Sequence, residues 1–189
     1  MPNILTHFIE NLEWASRRLR LNRQSGISIS PINAYVARTA RLQLTGDGFI
    51  SGGQIHICAN TRISDGVILS AYGGRIFIDE NVFVGPYCVL YGHGGLTIGR
   101  NTLIAAHTVI IPAEHGFSGS NELIRNQPLR KEGITIGDNV WIGCGVRILD
   151  GVVVGEGSVI GAGAVLTRSI ENNSVAVGVP AKVICNRFG

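Results

Sequence analysis

A branched aliphatic residue recurs at every sixth position over long stretches of this chain. The longest run comprises six such residues: Ile136, Ile142, Ile148, Val154, Ile160 and Leu166. Shorter runs begin at Ile57, Ile78 and Ile98. Neither an α-helix, with its period of 3.6, nor an alternating strand produces a period of six. A three-sided solenoid with three hexapeptides per turn does, because every sixth side chain then points to the axis. We therefore predict an all-β fold, a parallel β-helix of hexapeptide repeats.

The composition agrees with a solenoid. The 189 residues include 26 glycines, and only 15% are charged. Solenoid corners need residues that tolerate positive φ, and flat faces carry few long charged side chains. A net charge of +3 is too small to predict a nucleic-acid partner. The four cysteines lie far apart without a CxxC pair, so we interpret them as reduced, small apolar packing residues.

The N-terminal segment does not follow the period of six. Apolar residues from Ile4 to Leu19 recur at helical spacing, Asn3 can cap the start, and arginines crowd the end. We predict a helix within residues 1–25, either docked on the solenoid or attached to an acidic membrane surface. Residues 26–189 would form the β-helix, with a degenerate first coil in residues 26–56. The chain shows neither a membrane span nor a signal peptide, so we expect a cytoplasmic protein.

The repeat is interrupted once, over about residues 112–133. The inserted sequence, PAEHGFSGSNELIRNQPLRKEG, is polar and carries His115. Long loops in compact domains are usually functional or disordered. This loop leaves and re-enters the same solenoid, so we interpret it as an extruded arm that reaches a neighbouring subunit.

The sequence around and after the arm resembles the hexapeptide-repeat acyltransferases. The matching segments are IGDNVWIGCGVRILDGVVVGEGSVIGAGAVLTRSI and VAVGVPAKVI, preceded by a histidine in an extruded loop. The chain is most similar to the galactoside, maltose and nodulation-type O-acetyltransferases and the polysaccharide O-acetyltransferases, over roughly residues 57–187. The resemblance implies a left-handed β-helix, a homotrimer with active sites between subunits, acetyl-CoA as donor and a hydroxyl acceptor.

His115 aligns with the catalytic histidine of that family. Acetyl transfer from a thioester needs a base that takes the acceptor proton and a donor that stabilises the oxyanion. Histidine titrates near neutral pH and suits the first task, and a backbone N–H would supply the second. The resemblance therefore makes His115 the expected general base.

Coenzyme A contacts map by the same resemblance onto five residues: Cys144, Ala162, Thr167, Arg168 and Lys182. Small residues would let the pantetheine arm approach the backbone, and Arg168 and Lys182 could bind phosphates. Arg168 stands where the family commonly has lysine, and Cys144 where it commonly has serine or alanine.

Four residues are candidates for acceptor binding: Tyr87, His93, His107 and Trp141. His107 has three possible roles, as a surface corner residue, as an acceptor contact or as the base in place of His115. An indole at a corner would have to pack against the arm or a neighbouring subunit. Gly85 stands where galactoside-type enzymes carry a sugar-contacting asparagine, which favours a surface-polysaccharide acceptor.

Zinc is the alternative use of these histidines. The gamma-class carbonic anhydrases bind zinc through a histidine pair five residues apart and a third histidine. His93, His107 and His115 lack the pair spacing, so we expect no metal. The leading hypothesis is acetyl-CoA-dependent O-acetylation of a sugar of a cell-surface glycan or its precursor. N-acetylation of an amino sugar and an inactive scaffold are the alternatives.

Overall fold

The computed structural model describes residues 4–45, 52–119 and 121–189, with residues 4–12 as backbone only. Within these ranges the first element is helix α1, Ile4–Asn22, which is followed by 22 short strands and one 3₁₀ turn, Ile124–Asn126. The helix confirms the expectation from the apolar spacing. The proposed cap Asn3 lies outside the described residues.

Twenty strands form three sheets that wrap around one axis. Sheet A contains β1 Ile27–Ile29, β4 Gln54–Ile57, β7 Arg75–Ile78, β10 Leu96–Ile98, β15 Ile134–Ile136 and β18 Val153–Val154. Sheet B contains β2 Tyr35–Val36, β5 Arg62–Ile63, β8 Phe83–Val84, β11 Leu103–Ile104, β16 Trp141–Ile142, β19 Val159–Ile160, β21 Ser174–Val177 and β22 Lys182–Asn186. Sheet C contains β3 Arg41–Gln43, β6 Ile68–Ser70, β9 Val89–Tyr91, β12 Val109–Ile110, β17 Arg147–Ile148 and β20 Val165–Leu166.

The chain visits sheets A, B and C in turn, so each coil contributes one strand to each face of a prism. All strand pairs within the sheets are parallel except β21 with β22. The remaining two strands, β13 Glu114–His115 and β14 Leu129–Arg130, form an antiparallel hairpin outside the prism. This arrangement confirms the β-helix and, among the described residues, one extruded loop.

The core is a set of stacked aliphatic columns. In sheet A, Ile57 pairs with Ile78, Ile78 with Ile98, and Ile98 with Ile136. All four side chains are buried. Each inward side chain therefore covers its counterpart in the next coil, as the period of six predicted, and this burial is the main source of stability.

The three edges of the prism use different residues to turn the chain. The A–B edge, between sheets A and B, carries a column of asparagines with positive φ: Asn33, Asn60, Asn81, Asn101 and Asn139. Asn81 Nδ2 donates to Asn101 Oδ1 at 3.2 Å. The B–C edge carries Tyr87, His107, Gly145 and Gly163, all with positive φ. The C–A edge carries Tyr72 and His93, and the arm leaves from it.

Helix α1 covers the open N-terminal coil. Trp14 Nε1 donates to Ala34 O at 3.0 Å, and the Arg17 guanidinium donates to the carbonyls of Val36, Ala37 and Ala40. Side chains are described from residue 13 onward. For that part of the helix, these contacts favour docking on the prism over attachment to a membrane surface. They also satisfy backbone groups that an open sheet edge would leave unpaired.

Two expectations about the chain's organisation need correction. The first coil consists of β1, β2 and β3, and the second begins at Gln54 with β4, before the predicted start at Ile57. After Leu166 the sequence predicts one more turn, a corner at residues 178–180 and a short basic tail, but the structure has a strand there, β22, which folds back antiparallel on β21. Backbone hydrogen bonding decided both features, because neither segment follows the hexapeptide pattern.

The prediction that all four cysteines are small packing residues is wrong for two of them. All are free thiols, but only Cys88 is buried; Cys58 is half-buried, and Cys144 and Cys185 are exposed. Cys144 occupies an outward position on the B–C edge, and Cys185 lies on β22, whose residues are all exposed. Burial raises the pKa of the Cys88 thiol to about 11, so this group stays protonated.

Candidate active site

The arm presents His115 on a hairpin outside the prism. His115 pairs with Leu129 and Glu114 with Arg130, so β13 and β14 hold each other in register. Gly116 N donates to Pro128 O at 3.1 Å and extends the pairing. The His115 side chain is exposed. The imidazole is therefore held on a defined backbone and remains open to a substrate or a neighbouring subunit.

His93 lies at the base of the arm. Its ring stacks on Tyr72 with centroids 4.1 Å apart and lies 5.6 Å from the ring of Tyr91. His93 Nδ1 is buried and has no hydrogen-bond partner among the described residues. Burial, followed by the positive charge of Lys131, lowers the pKa of His93. The ring is therefore neutral at pH 7, and one of its nitrogens is oriented into the protein.

A second aromatic pair lies on the B–C edge. Tyr87 and His107 stack with centroids 5.4 Å apart at an interplanar angle of 12°. The Tyr87 ring lies over Gly66, where an added Cβ would approach it to 2.4 Å. Both aromatic residues have positive φ, which asparagine and glycine adopt at equivalent corners. Tyrosine and histidine are energetically unfavourable at positive φ, yet here their stacked rings form one exposed aromatic platform, Tyr87 and His107.

The candidate acceptor residues therefore do not form one cluster within a single chain. Tyr87 and His107 share the B–C edge, whereas His93 lies on the C–A edge with the arm. Trp141 lies in β16 on the face of sheet B, with 55% of its surface exposed, and not at a corner. Its side chain points outward because Ile142, the next residue in the strand, points to the axis.

Gly85 has no room for the side chain found in galactoside-type enzymes. An added Cβ would lie 2.8 Å from Ala106 N and 2.9 Å from Ile104 O. Any larger residue would push the two coils apart. In this chain the packing of the two coils therefore restricts this position to glycine.

The candidate coenzyme A residues lie around the C-terminal end of sheet C. Cys144 and Ala162 occupy neighbouring coils of the B–C edge, where Gly163 N donates to Cys144 O at 2.8 Å. Thr167 and Arg168 follow β20 on the C–A edge, and Lys182 begins β22. All five residues are exposed. Small residues on one side of sheet C and two cations nearby would suit an extended, phosphorylated ligand.

The sequence did not indicate the partners of His93 or of the arm. Tyr72 lies one coil before His93, and only the stacking of coils brings its ring against the imidazole, whereas Tyr91 is two residues from His93 in sequence. Glu114 forms an ion pair with Arg130, with 2.8 Å between the charged atoms. In the sequence, only the position of Glu114 next to His115 indicated that this glutamate could matter.

The three histidines considered for a zinc site do not all share one edge of the prism. Within the described ranges, no group of three histidine, cysteine, aspartate or glutamate side chains could hold a metal ion. His107 lies on a different edge from His93 and the arm. The same residues contain no helix long and apolar enough to cross a membrane.

Comparisons with known proteins agree with this arrangement. Residues 133–168 match the family model described as bacterial transferase hexapeptide (six repeats). WbbJ of Escherichia coli K12, assigned to lipopolysaccharide biosynthesis as an O-acetyl transferase, is 37% identical over 140 residues, which are 70% of this chain and 71% of WbbJ. The galactoside O-acetyltransferase of the same organism is 40% identical over 114 residues, which are 60% of this chain but 55% of that enzyme.

A solved structure shares the architecture over most of the chain. It is a point variant of AntD, an N-acyltransferase from Bacillus cereus. The two structures superpose with a TM-score of 0.73 and 26% sequence identity, and the match covers 89% of each chain. That crystal structure contains coenzyme A and dTDP-4-amino-4,6-dideoxyglucose. Together, the left-handed parallel β-helix, the extruded arm and these relatives show that the chain belongs to the hexapeptide-repeat acyltransferases, enzymes that take their acyl group from acyl-CoA.

Proposed function

We propose that this protein transfers an acetyl group from acetyl-CoA to a sugar hydroxyl of a surface polysaccharide or its precursor. The observation that carries the proposal is the exposed His115 on a paired hairpin, in a chain that is 37% identical to WbbJ. An exposed imidazole can accept a proton from a bound hydroxyl.

In the proposed reaction His115 acts as the general base. The imidazole removes the hydroxyl proton while the oxygen attacks the thioester carbonyl carbon. A backbone N–H stabilises the resulting oxyanion, the carbon–sulfur bond breaks, and the imidazolium returns the proton to the coenzyme A thiolate. Acetyl passes directly to the acceptor, without an acyl-enzyme.

The coenzyme A site would comprise Cys144, Ala162, Thr167, Arg168 and Lys182. The pantetheine arm would lie along the small residues of the B–C edge, and the two cations would bind phosphates. Their exposure and their position around one end of sheet C support this role.

The acceptor would contact Tyr87, His93, His107 and Trp141, although these residues lie on different faces and edges of one chain. We propose a homotrimer in which neighbouring subunits bring them together. Exposed apolar side chains support such contacts on the face of sheet B, at Leu103 and Trp141, and on the arm, at Phe117, Leu123 and Ile124. The active site would then lie between two subunits, inside the cell.

N-acetylation of an amino sugar is the second candidate. It is favoured by the likeness to AntD, whose crystal structure contains an amino sugar linked to a nucleotide. The neutral His93 could accept a hydrogen bond from an amine as well as from a hydroxyl. The arm and His115 would serve both reactions.

An acceptor panel tests both candidates. Sugars and sugar nucleotides with and without a free amine are incubated with acetyl-CoA, and coenzyme A release is followed. Mild alkali then distinguishes the products, because it cleaves an acetyl ester and leaves an acetyl amide intact. We expect alkali-labile product from an amine-free acceptor. Product that is formed only from amino sugars and survives alkali would replace O-acetylation by N-acetylation.

Donor binding is tested separately by thermal unfolding with and without acetyl-CoA. A ligand that binds only the folded state stabilises it by ~2.7 kcal/mol at a hundredfold excess over its dissociation constant. We expect a higher midpoint with acetyl-CoA. An unchanged midpoint at millimolar acetyl-CoA would contradict acetyl-CoA as the donor.

A further inference from the structure

A buried carboxylate lies where the arm rejoins the prism. Asp150 is on the C–A edge between β17 and β18, and its side chain is fully buried. A buried carboxylate is costly unless hydrogen bonds and positive charge compensate it. Acetyl transfer itself gives Asp150 no task, so its burial calls for a different explanation.

The returning end of the arm supplies that compensation. Glu132 N donates to both oxygens of Asp150 at 3.0 Å, and Gly133 N donates to Oδ1 at 2.9 Å. Arg130 Nε lies 3.7 Å from Oδ2. Three residues at the end of the arm are thus directed at one side chain of the prism.

The same arginine connects Asp150 to the hairpin. Arg130 Nη2 donates to Glu114 Oε2 at 2.8 Å, while its backbone pairs with Glu114 across β13 and β14. Glu114 directly precedes His115. A continuous series of contacts therefore connects the buried carboxylate of Asp150 with Glu114, the residue next to His115.

The backbone around Asp150 leaves the arm little freedom. Gly151 N donates to Gly133 O at 2.9 Å. Gly151 has a φ of +77°, and an added Cβ there would lie 2.4 Å from Glu132 Oε2. The returning chain is therefore packed directly on this corner, and its direction depends on the groups that hold it there.

We propose that Asp150, through Arg130, is a positioning residue that sets the direction of the arm and thereby the location of His115. This inference rests on the proposed role of His115 as the base. A displacement of about 1 Å in a reacting group can cost 10²-fold in rate. Asparagine in place of Asp150 would keep the shape but lose the attraction to Arg130, and its NH₂ group would face backbone donors.

The matched control is Asp138 on the A–B edge. Its carboxylate also accepts from a backbone N–H, Arg100 N at 2.9 Å, and from the Arg100 side chain at 3.2 and 3.1 Å. It lies on a different edge of the prism from the arm. Asp138→Asn therefore removes a carboxylate–arginine contact that is shorter and more exposed than that of Asp150, without touching the path to His115.

The experiment compares Asp150→Asn, Arg130→Met and Asp138→Asn in the full-length protein. We expect the first two to lower kcat by about 10- to 100-fold, with the KM for acetyl-CoA within about twofold of the parent. The double variant Asp150→Asn/Arg130→Met should lose less than the product of the single losses, since both act on one contact chain. Arg130→Lys should restore part of the rate. Asp138→Asn should retain the parent kcat.

Limited trypsin digestion provides a readout that does not depend on activity. Cleavage after Arg125, within the arm, should be faster in Asp150→Asn than in Asp138→Asn at equal thermal stability. Equal cleavage rates and equal kcat in these two variants would overturn the proposal. If His115→Ala stays active while the arm of Asp150→Asn becomes sensitive to trypsin, the proposed role of His115 fails and the anchoring stands. If Asp150→Asn does not fold, Arg130→Met decides by the same two measurements.

Discussion

Aromatic side chains with left-handed backbone conformations mark two edges of the prism. Tyr72, Tyr87 and His107 have φ between +48° and +60°, whereas asparagine and glycine occupy most equivalent corners. A non-glycine residue in this region costs about 1 kcal/mol or more, so such residues persist where the surrounding structure holds them. The rings of Tyr87 and His107 are exposed, which is consistent with ligand contact.

Replacing Tyr87 by asparagine tests the platform on the B–C edge. Asparagine tolerates the positive φ, so the backbone should stay in place while the stack on His107 is lost. We expect the KM for the acceptor to rise about tenfold, equivalent to the stacking energy of an aromatic ring, with an unchanged KM for acetyl-CoA. Steady-state kinetics with each substrate varied in turn measures both. An unchanged acceptor KM would exclude Tyr87 from the acceptor site.

His115→Ala should lower kcat by ~10²–10⁴, because the acceptor hydroxyl loses its proton acceptor. Binding of acetyl-CoA should persist, since His115 is on the arm and the candidate coenzyme A residues lie around one end of sheet C. Turnover and isothermal titration with acetyl-CoA measure the two effects. Near-normal turnover would contradict the assignment and direct attention to His107.

His93 should make the folded state sensitive to mild acid. Its pKa is lowered in the fold by burial and by Lys131, whereas the unfolded chain has an ordinary value near 6.5. Between these values the unfolded state binds more protons, so the stabilisation present above pH ~6.5 is lost as the pH falls below it. His93→Phe keeps a ring against Tyr72 and should show a smaller fall in Tm between about pH 7.5 and pH 5. Equal falls in both proteins would contradict the prediction.

At the scale of elements, helix α1 closes the prism. A parallel β-helix exposes unpaired backbone groups at its first coil, and Trp14, Arg17 and Asn22 supply side-chain partners to that coil. Asn22 forms two hydrogen bonds with the backbone of Ile29, one as donor and one as acceptor. The helix thus acts as the terminal cap that repeat proteins need.

Arg17→Met should destabilise the protein by about 2 kcal/mol, because the carbonyls of the first coil lose a charged donor while the aliphatic stem is kept. The matched control is Arg18→Met, which removes one exposed hydrogen bond, to Pro31 O at 3.0 Å, and should cost under about 1 kcal/mol. Equilibrium unfolding in urea measures both. Equal losses in the two variants would argue against capping by Arg17.

Removing residues 1–22 separates capping from membrane attachment. We expect liposome binding to stay unchanged and the unfolding midpoint to fall, because the contacts of Trp14 and Arg17 with the first coil are lost. Sedimentation with acidic liposomes and thermal melts provide the two readouts. A truncated protein with an unchanged midpoint that no longer binds liposomes would reverse this interpretation of the helix.

At the scale of the whole molecule, the candidate site is divided among the edges of the prism. The arm and His93 lie on the C–A edge, Tyr87 and His107 on the B–C edge, and Trp141 on the face of sheet B. A proposed trimer resolves this division, because an edge of one subunit can face another edge of its neighbour.

Subunit mixing tests that arrangement. His115→Ala and Lys182→Ala would each be inactive or weak alone, one lacking the base and the other a phosphate contact. If active sites lie between subunits, refolding the two variants together should restore a fraction of parent kcat/KM, because some interfaces then combine intact residues from both chains. Mixtures no more active than the average of the separate variants would show that His115 and Lys182 act from the same subunit. Light scattering gives the oligomeric state of the same samples.

The sequence predicted the fold well because the β-helix repeats one local rule. A branched residue at every sixth position places each side chain on the axis, and stacking then follows for columns such as Ile78, Ile98 and Ile136. The extruded arm that carries His115 could also be predicted, since a polar interruption of a regular repeat is visible along the chain. The register within the hexapeptides likewise predicted which residues point to the axis.

Only the tertiary structure decided which outward residues share an edge. The number of residues per coil varies, and the arm adds a long detour, so spacing along the chain does not reveal that His93 stacks on Tyr72 or that Tyr87 stacks on His107. Asp150 reads in sequence as an ordinary corner residue before glycine. Its burial depends on the path by which the arm returns, and that path is set by contacts between segments distant in sequence, which no local pattern encodes.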